Sequence, residues 1–403
     1  MSNHPSLRCL YDFPGWVIQE MKVLPEVAVI KLHRDKRLTI YCPHCIRKAG
    51  LNRKVSQTAY DLPIGPVSLV MIHYEAVQGY CNHCKGHFTL HPPGVESYAH
   101  ATRRLMHYVC KLCRFMPADK VPLFLPISAS TARRWDKRVL VKHLPQPDLD
   151  DLRVLLIDEK SIGSGHSYMT VVMNGDSGEI LHLAEGKKKT SLESFFQKLS
   201  HRQINKITAV GIDRAGAYKA IVEEYAPKAQ IVYDKFHIVA NLNTAVDEVR
   251  RVEWRNANKD EKRFIKGQRF NLLRNAQNLK DNQCDRLAEL FEANESLLQA
   301  YLLKDAFSTL WTYVRPKWAS KFLDNWIEWA KETELKPLVK FAKGVDRDRN
   351  EILAWIKHRV TSAKIEAFNA TISRIVKRAC GYRDLDYLYL KIRQEASPPV
   401  LQL

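Results

Sequence analysis

The sequence predicts an α/β chain of several domains, and three observations carry that prediction. Residues 152–237 alternate short aliphatic runs with stretches of helical spacing. Residues 42–84 hold two Cys-x-x-C steps separated by strand-like sequence. From 238 to 355 the apolar residues recur at helical spacing with no strand pattern. A chain of 403 residues is long enough to bury more than one core.

The α/β block is the organising part. Val154-Leu155-Leu156-Ile157 is an apolar strand that stops on Asp158, and Ala209–Asp213 and Gln230–Asp234 repeat the event. Tyr168–Asn174 and Glu179–Ala184 flank Gly175-Asp176-Ser177-Gly178, a hairpin signal. Ser191–Leu199 and Ala215–Tyr225 carry helical spacing, and Pro227 leads into the next strand. Strand, strand, strand, helix, strand, helix, strand, helix is the order of a ribonuclease-H-like mixed sheet. There the first and fourth strands are parallel neighbours, so Asp158 and Asp213 can converge on Mg²⁺ or Mn²⁺, which take hard oxygen ligands. Glu159 faces the other way, because adjacent strand residues alternate. A third acid must come from a later helix, and Glu366 precedes one rich in positive charge (Arg374, Lys377, Arg378). A lone aspartate at a strand end is commonly a cap or a turn former; two in strand order with a downstream glutamate are not.

These residues also carry a resemblance. The LIDEKS strand, the GIDRAGAY strand-to-helix turn, YDKFHIVANLNTAVDEVRR, and the Glu366-x-x-Asn369 step followed by KRACGYRD are similar to DDE transposases of bacterial insertion sequences, in particular the ISL-three family. The resemblance extends to the N-terminal cysteines. It implies a catalytic and metal-binding triad of Asp158, Asp213 and Glu366. Around the glutamate the family usually has Ser-Asn-Gly and then Glu-Gly, where this chain has Ala363 and Ala367. Asp234 and His237 form an Asp-x-x-His step that resembles one found after the second acid in several DDE transposases; they and Asn369 are expected to be accessory to the site. A structural N-cap is the plain alternative for Asp234.

Nine cysteines read as thiols or metal ligands if the chain is cytosolic. Cys42-Pro-His-Cys45 and Cys81-Asn-His-Cys84 offer four thiolates to one structural, tetrahedral Zn²⁺. Cys110 and Cys113 lie one turn apart on a predicted helix and read as core or surface residues, and Cys9, Cys284 and Cys380 receive no role.

After this zinc ribbon, Ala99–Leu140 reads as a helix-turn-helix. A helix over Ala101–Phe115 precedes a segment broken by Pro122, and a second helix starts at an N-cap, Ser128, with Trp135 facing inward. Ser130, Thr131, Arg133 and Arg134 would meet DNA from its N-terminal end. A helical spacer with basic decoration is the alternative. The expected organisation is a zinc ribbon over 1–95, a helix-turn-helix over 96–146, the first part of the catalytic core over 147–238, a helical insertion over 239–355, and the last core helix with a C-terminal tail over 356–403. Within the insertion, helices are predicted over Ile238–Val252, Asp285–Lys304, Lys317–Glu332 and Glu334–Lys343. Trp311 is the tryptophan best placed in sequence to stack on an unpaired base, while Trp326 and Trp329 read as core.

A formal charge of +19 spread along the chain suits a polyanionic partner. No apolar run reaches membrane-spanning length, so a cytoplasmic, nucleoid-associated protein is expected. The function expected is transposition: binding of terminal inverted repeats, DNA cleavage and strand transfer into target DNA, as a homodimer on double-stranded DNA. A non-catalytic DNA-binding regulator and a metal-dependent, structure-selective nuclease are the rival classes.

Overall fold

The computed structural model describes residues 13–397, apart from 66, 164–166, 187 and 215–217. Cys9 and the expected start of a helix at Ala215 lie outside the described residues. Two compact units divide the chain, one of residues 1–146 with 374–403, the other of residues 147–373.

The first unit begins as a sheet of β1 (Trp16–Val23), β2 (Val27–Arg34), β3 (Gly50–Asp61), β4 (Leu69–Cys81), β5 (Gly86–Leu90), β6 (Val95–Glu96) and β7 (Ala101–Thr102). Its order is β1-β2-β4-β3-β7-β6, with β5 on β4. Alternate residues point inward, so Ala28, Ile30, Ala59, Val70 and Ile72 form one apolar core. Helix α1 (Arg103–Phe115) follows directly; the Thr102 hydroxyl caps it by accepting the Leu105 N–H at 3.3 Å. Its inner face is Leu105, Met106, Val109, Cys110 and Cys113. Both cysteines are therefore core, and burial pushes the Cys113 thiol up to about 12. The segment that Pro122 breaks is a 3-10 turn, Ala118–Leu123. Helix α2 (Ala129–His143) starts at Ser128, whose hydroxyl accepts the Thr131 N–H at 3.2 Å, and buries Ala132, Trp135, Val139 and Leu140.

The second unit carries β8 (Val154–Ser161), β9 (Tyr168–Asn174), β10 (Ile180–Glu185), helices α3 (Lys189–Phe196) and α4 (His201–Ile204), β11 (Ala209–Ile212), α5 (Lys219–Tyr225) and β12 (Gln230–Tyr233). The sheet runs β10-β9-β8-β11-β12, with β9 antiparallel to both neighbours and β8, β11 and β12 mutually parallel. The strands read as unbroken apolar runs because both faces are covered; β11 is wholly buried. Gly211 sits where a Cβ would meet Val360 Cγ1 at 2.8 Å and Leu156 Cδ2 at 2.9 Å, which lets the segment before residue 362 lie close over the sheet.

Eight helices follow: α6 (Lys235–Asn256), α7 (Lys259–Gly267), α8 (Arg269–Leu273), α9 (Asp281–Ala293), α10 (Glu295–Ser308), α11 (Pro316–Glu332), α12 (Lys336–Arg347) and α13 (Arg349–His358). The helix predicted over Asp285–Lys304 is two, because Asn294 interrupts it and caps α10 through the Leu297 N–H at 2.9 Å. Trp311 corrects another expectation. It is buried edge-on to Phe307 and Trp355, so it is core and cannot stack on a base; Trp318 and Trp254 are the exposed tryptophans. Trp326 is core as expected, its indole N–H donating to Leu303 O at 2.9 Å.

Two more helices close the chain, α14 (Ala363–Arg378) and α15 (Leu385–Ala396). The described residues from Arg374 to Ser397 group with the first unit, where the sequence suggested that 356–403 would stay with the catalytic core. There Tyr387 Oη donates to Asp136 Oδ2 at 2.5 Å, and Lys391 Nζ pairs with the same oxygen at 3.0 Å. Among the described residues no helix is long and apolar enough to cross a membrane.

Candidate active site and metal centres

Parallel pairing of β8 and β11 brings Asp158, on the fourth-from-last position of β8, level with Asp213, one residue beyond β11. Asp158, Asp213, Asp234, His237 and Ser362 line one small cavity of about 20 Å³. Asp158 Oδ1 accepts the Glu159 N–H at 2.7 Å, and Oδ2 accepts Asn369 Nδ2 at 2.6 Å, so α14 reaches the first strand through Asn369. Burial raises the Asp158 carboxyl above its ordinary value, against the lowering pull of that N–H, His237 and Asn369. Asp213 Oδ1 accepts the Arg214 N–H and lies 3.4 Å from His237 Nδ1.

Asp234 sits at the N-cap position of α6 but makes no side-chain cap, which removes the plain reading of the Asp-x-x-His step. Its Oδ2 instead accepts the Ser362 hydroxyl at 2.7 Å, and the same hydroxyl touches Glu366 Oε1. Ligand atoms of Asp234, His237 and Glu366 all lie within 4.8 Å of one another. Glu366 therefore sits with Asp234 and His237; the expected trio of Asp158, Asp213 and Glu366 does not form such a mutually close group. The cavity nevertheless joins both aspartates to that cluster.

The basic residues nearest in sequence are turned elsewhere. Arg214 Nε donates to Asp348 Oδ2 at 2.6 Å, and Lys219 pairs with Glu351. Gly344 makes this possible, since a Cβ there would meet Arg214 Nη2 at 2.3 Å. Among the described residues no Lys or Arg pairs with Asp158, Asp213, Asp234 or Glu366. Carboxylates gathered with no Lys or Arg partner, beside a buried carboxylate oxygen with no donor (Asp234 Oδ1), suit a divalent cation. Ser362, Asp348 and Glu351 escaped sequence reading: none stands in a recognisable spacing, and only the fold brings them here.

The cysteines form the second cluster. Cys42, Cys45, Cys81 and Cys84 place their sulfurs within 4.8 Å of one another, with Cys42–Cys84 at 3.9 Å and Cys45–Cys81 at 3.5 Å. Tetrahedral Zn²⁺ at about 2.3 Å from each sulfur needs sulfurs about 3.8 Å apart, so the set fits. Each pair ends in the same backbone device: Ile46 (φ 60) and Lys85 (φ 49), directly after Cys45 and Cys84, are left-handed. The Cys84 N–H donates to Cys81 Sγ at 3.4 Å and helps hold that thiol down to about 7.

On the first unit, Arg133 and Arg134 of α2 are exposed and have no ion pair among the described residues, while Ser130 and Thr131 hydroxyls lie 2.9 and 3.0 Å from the Ser128 hydroxyl. Arg133 and Arg378 line a cleft of about 420 Å³ together with Arg383 and Asp384. Lys377 is exposed, as is Arg374.

A mixed sheet with level aspartates on two adjacent parallel strands and a glutamate on a later helix is the arrangement of DDE transposases. Comparison with known proteins agrees. Residues 155–392 match the ISL3 family of DDE transposases, described simply as transposase, and the chain belongs to that family. It is 33% identical, over 87% of both chains, to the transposase of insertion sequence element IS1001 from Bordetella parapertussis. It is also 29% identical, over 68% of its own length and 64% of the relative's, to the IS1557 transposase of Mycobacterium tuberculosis.

Proposed function

We propose that the chain binds the terminal inverted repeats of its own insertion sequence, cleaves DNA there and joins the freed end to target DNA. The observation that carries this is the meeting of Asp158, Asp213 and Asp234 in one cavity, with Glu366 hydrogen-bonded to its lining residue Ser362 and no Lys or Arg pairing with any of the four among the described residues. Asp158, Asp213 and Glu366 act as catalytic ligands. When bound, two Mg²⁺ or Mn²⁺ ions supply the charge that activates water and then the 3′-hydroxyl and that neutralises the scissile phosphate. Asn369 orients Asp158, and His237 steadies Asp213. The four cysteines hold structural Zn²⁺ in a ribbon, and α1 with α2 serves as a helix-turn-helix that presents Ser130, Thr131, Arg133 and Arg134 to base edges and backbone. Arg374, Lys377 and Arg378 add backbone contacts, and two copies act together on the two ends.

Incubation of the protein with Mg²⁺, terminal-repeat DNA and a target plasmid tests the reading. Nicked ends and joined products are expected, with Asp213→Ala abolishing both while repeat binding survives. Binding without cleavage by the wild type would instead favour the regulator, and cleavage without joining the nuclease.

A further inference from the structure

We propose that Asp234 is itself a metal ligand, holding one divalent cation together with Glu366 and a ring nitrogen of His237. This rests on the reading above and deepens it by moving a cation position toward β12, the strand beyond β11.

The argument begins with hydrogen counting. The Ser362 hydroxyl faces both Asp234 Oδ2 (2.7 Å) and Glu366 Oε1, yet it carries a single hydrogen. One of these two oxygen pairs therefore has nothing positive between its members. Asp234 adds a second deficit: it is only 6% exposed, and its Oδ1 is buried with no donor at all. A carboxylate so placed is costly to bury unless a positive centre meets it. No Lys or Arg does so among the described residues, in a chain that holds 63 of them against 44 acids. The helix behind it offers the partial positive charge of its N-terminus but no hydrogen bond, because Asp234 makes no cap bond to α6. What lies beside it is the imidazole of His237, which lines the same cavity, and the exposed carboxylate of Glu366, with ligand atoms of all three within 4.8 Å of one another. Two carboxylates and one imidazole on one side, with the other side open, is a set that Mg²⁺ and Mn²⁺ accept.

The test uses full-length protein and Mn²⁺ alone. Electron paramagnetic resonance titration counts bound Mn²⁺ and its affinity for the wild type, Asp234→Asn and Ser362→Ala. Asp234→Asn is expected to lose one bound Mn²⁺ or to weaken it about tenfold or more, and Ser362→Ala to weaken it less. Unchanged Mn²⁺ binding by folded Asp234→Asn overturns the proposal. A second measurement needs no variant: Fe²⁺ with ascorbate and peroxide cuts the backbone beside a bound metal. Cuts in residues 232–238 and 362–367 are expected, and cuts confined to the neighbourhoods of Asp158 and Asp213 overturn the assignment. DNA cleavage is scored apart, so a wild type that holds Mn²⁺ through Asp234 but never cleaves repeat DNA would sink transposition and leave this site standing.

Discussion

Arg214 follows the second strand-end aspartate directly, yet its guanidinium is bound 2.6 Å from Asp348, 134 residues further on, and not to Asp213. The later helices thus hold this basic side chain on Asp348 and not on the carboxylate beside it. Asp348→Asn should release Arg214 to compete with a cation at Asp213, and Gly344→Ala should do the same by displacing the tip of Arg214. Both variants are expected to fold and to bind Mn²⁺ several-fold more weakly by calorimetry. Wild-type affinity in both would show that Asp348 has no bearing on the site.

Metal analysis of protein purified without chelator is expected to find one Zn²⁺ per chain. Cys42→Ser or Cys81→Ser should lose it and leave the segments 40–49 and 81–90 open to protease, since the binding energy of such a site is folding energy. Zero zinc with an intact N-terminal sheet would remove the metal centre.

Repeat-specific binding should fall steeply with salt, because neutralised phosphates release their counterions. Replacing Arg133 and Arg134 with Ala should flatten the slope of log affinity on log salt by about 0.9 for each phosphate no longer neutralised. An unchanged slope and unchanged selectivity would place recognition elsewhere.

Asp136 and Lys391 are 0% and 3% exposed and pair at 3.0 Å, joining α15 to α2. Lys391→Met leaves a buried carboxylate with only Tyr387 for company and is expected to cost about 3–5 kcal/mol in the first unit's denaturant transition. Asp136→Leu in the same chain should recover much of that. A neutral Lys391→Met would mean the pair contributes nothing.

His182 supplies an acid-sensitive element in the second unit. Burial, reinforced by Lys198, lowers it from the ordinary 6.5 to about 4. The folded state then binds fewer protons than the unfolded state between those values, so stability present above pH 6.5 is lost as pH falls toward 4. His182→Phe should flatten that loss in urea titrations at several pH values. An identical pH profile in the variant would acquit His182.

The three aspartates were legible because each follows an unbroken apolar run: Asp213 and Asp234 come directly after β11 and β12, and Asp158 lies within β8, which continues to Ser161. The cysteine cluster was legible from spacing alone. Ser362 was not, being one hydroxyl in a loop whose position depends on Gly211 letting Val360 close over the sheet. Trp311 misled for a related reason: its neighbours Phe307 and Trp355 decide its burial, and the second lies 44 residues away. The pairing of Tyr387 and Lys391 with Asp136 spans about 250 residues, and no local period encodes it.

That last pairing also fixes an order of events during synthesis. The catalytic sheet and its helices occupy one uninterrupted stretch, residues 147–373, and can finish folding as soon as that stretch has left the ribosome. The N-terminal unit, although made first, waits with Asp136 uncompensated until residues 387–391 arrive. A nascent or truncated polypeptide lacking them has its second unit assembled before its first is complete.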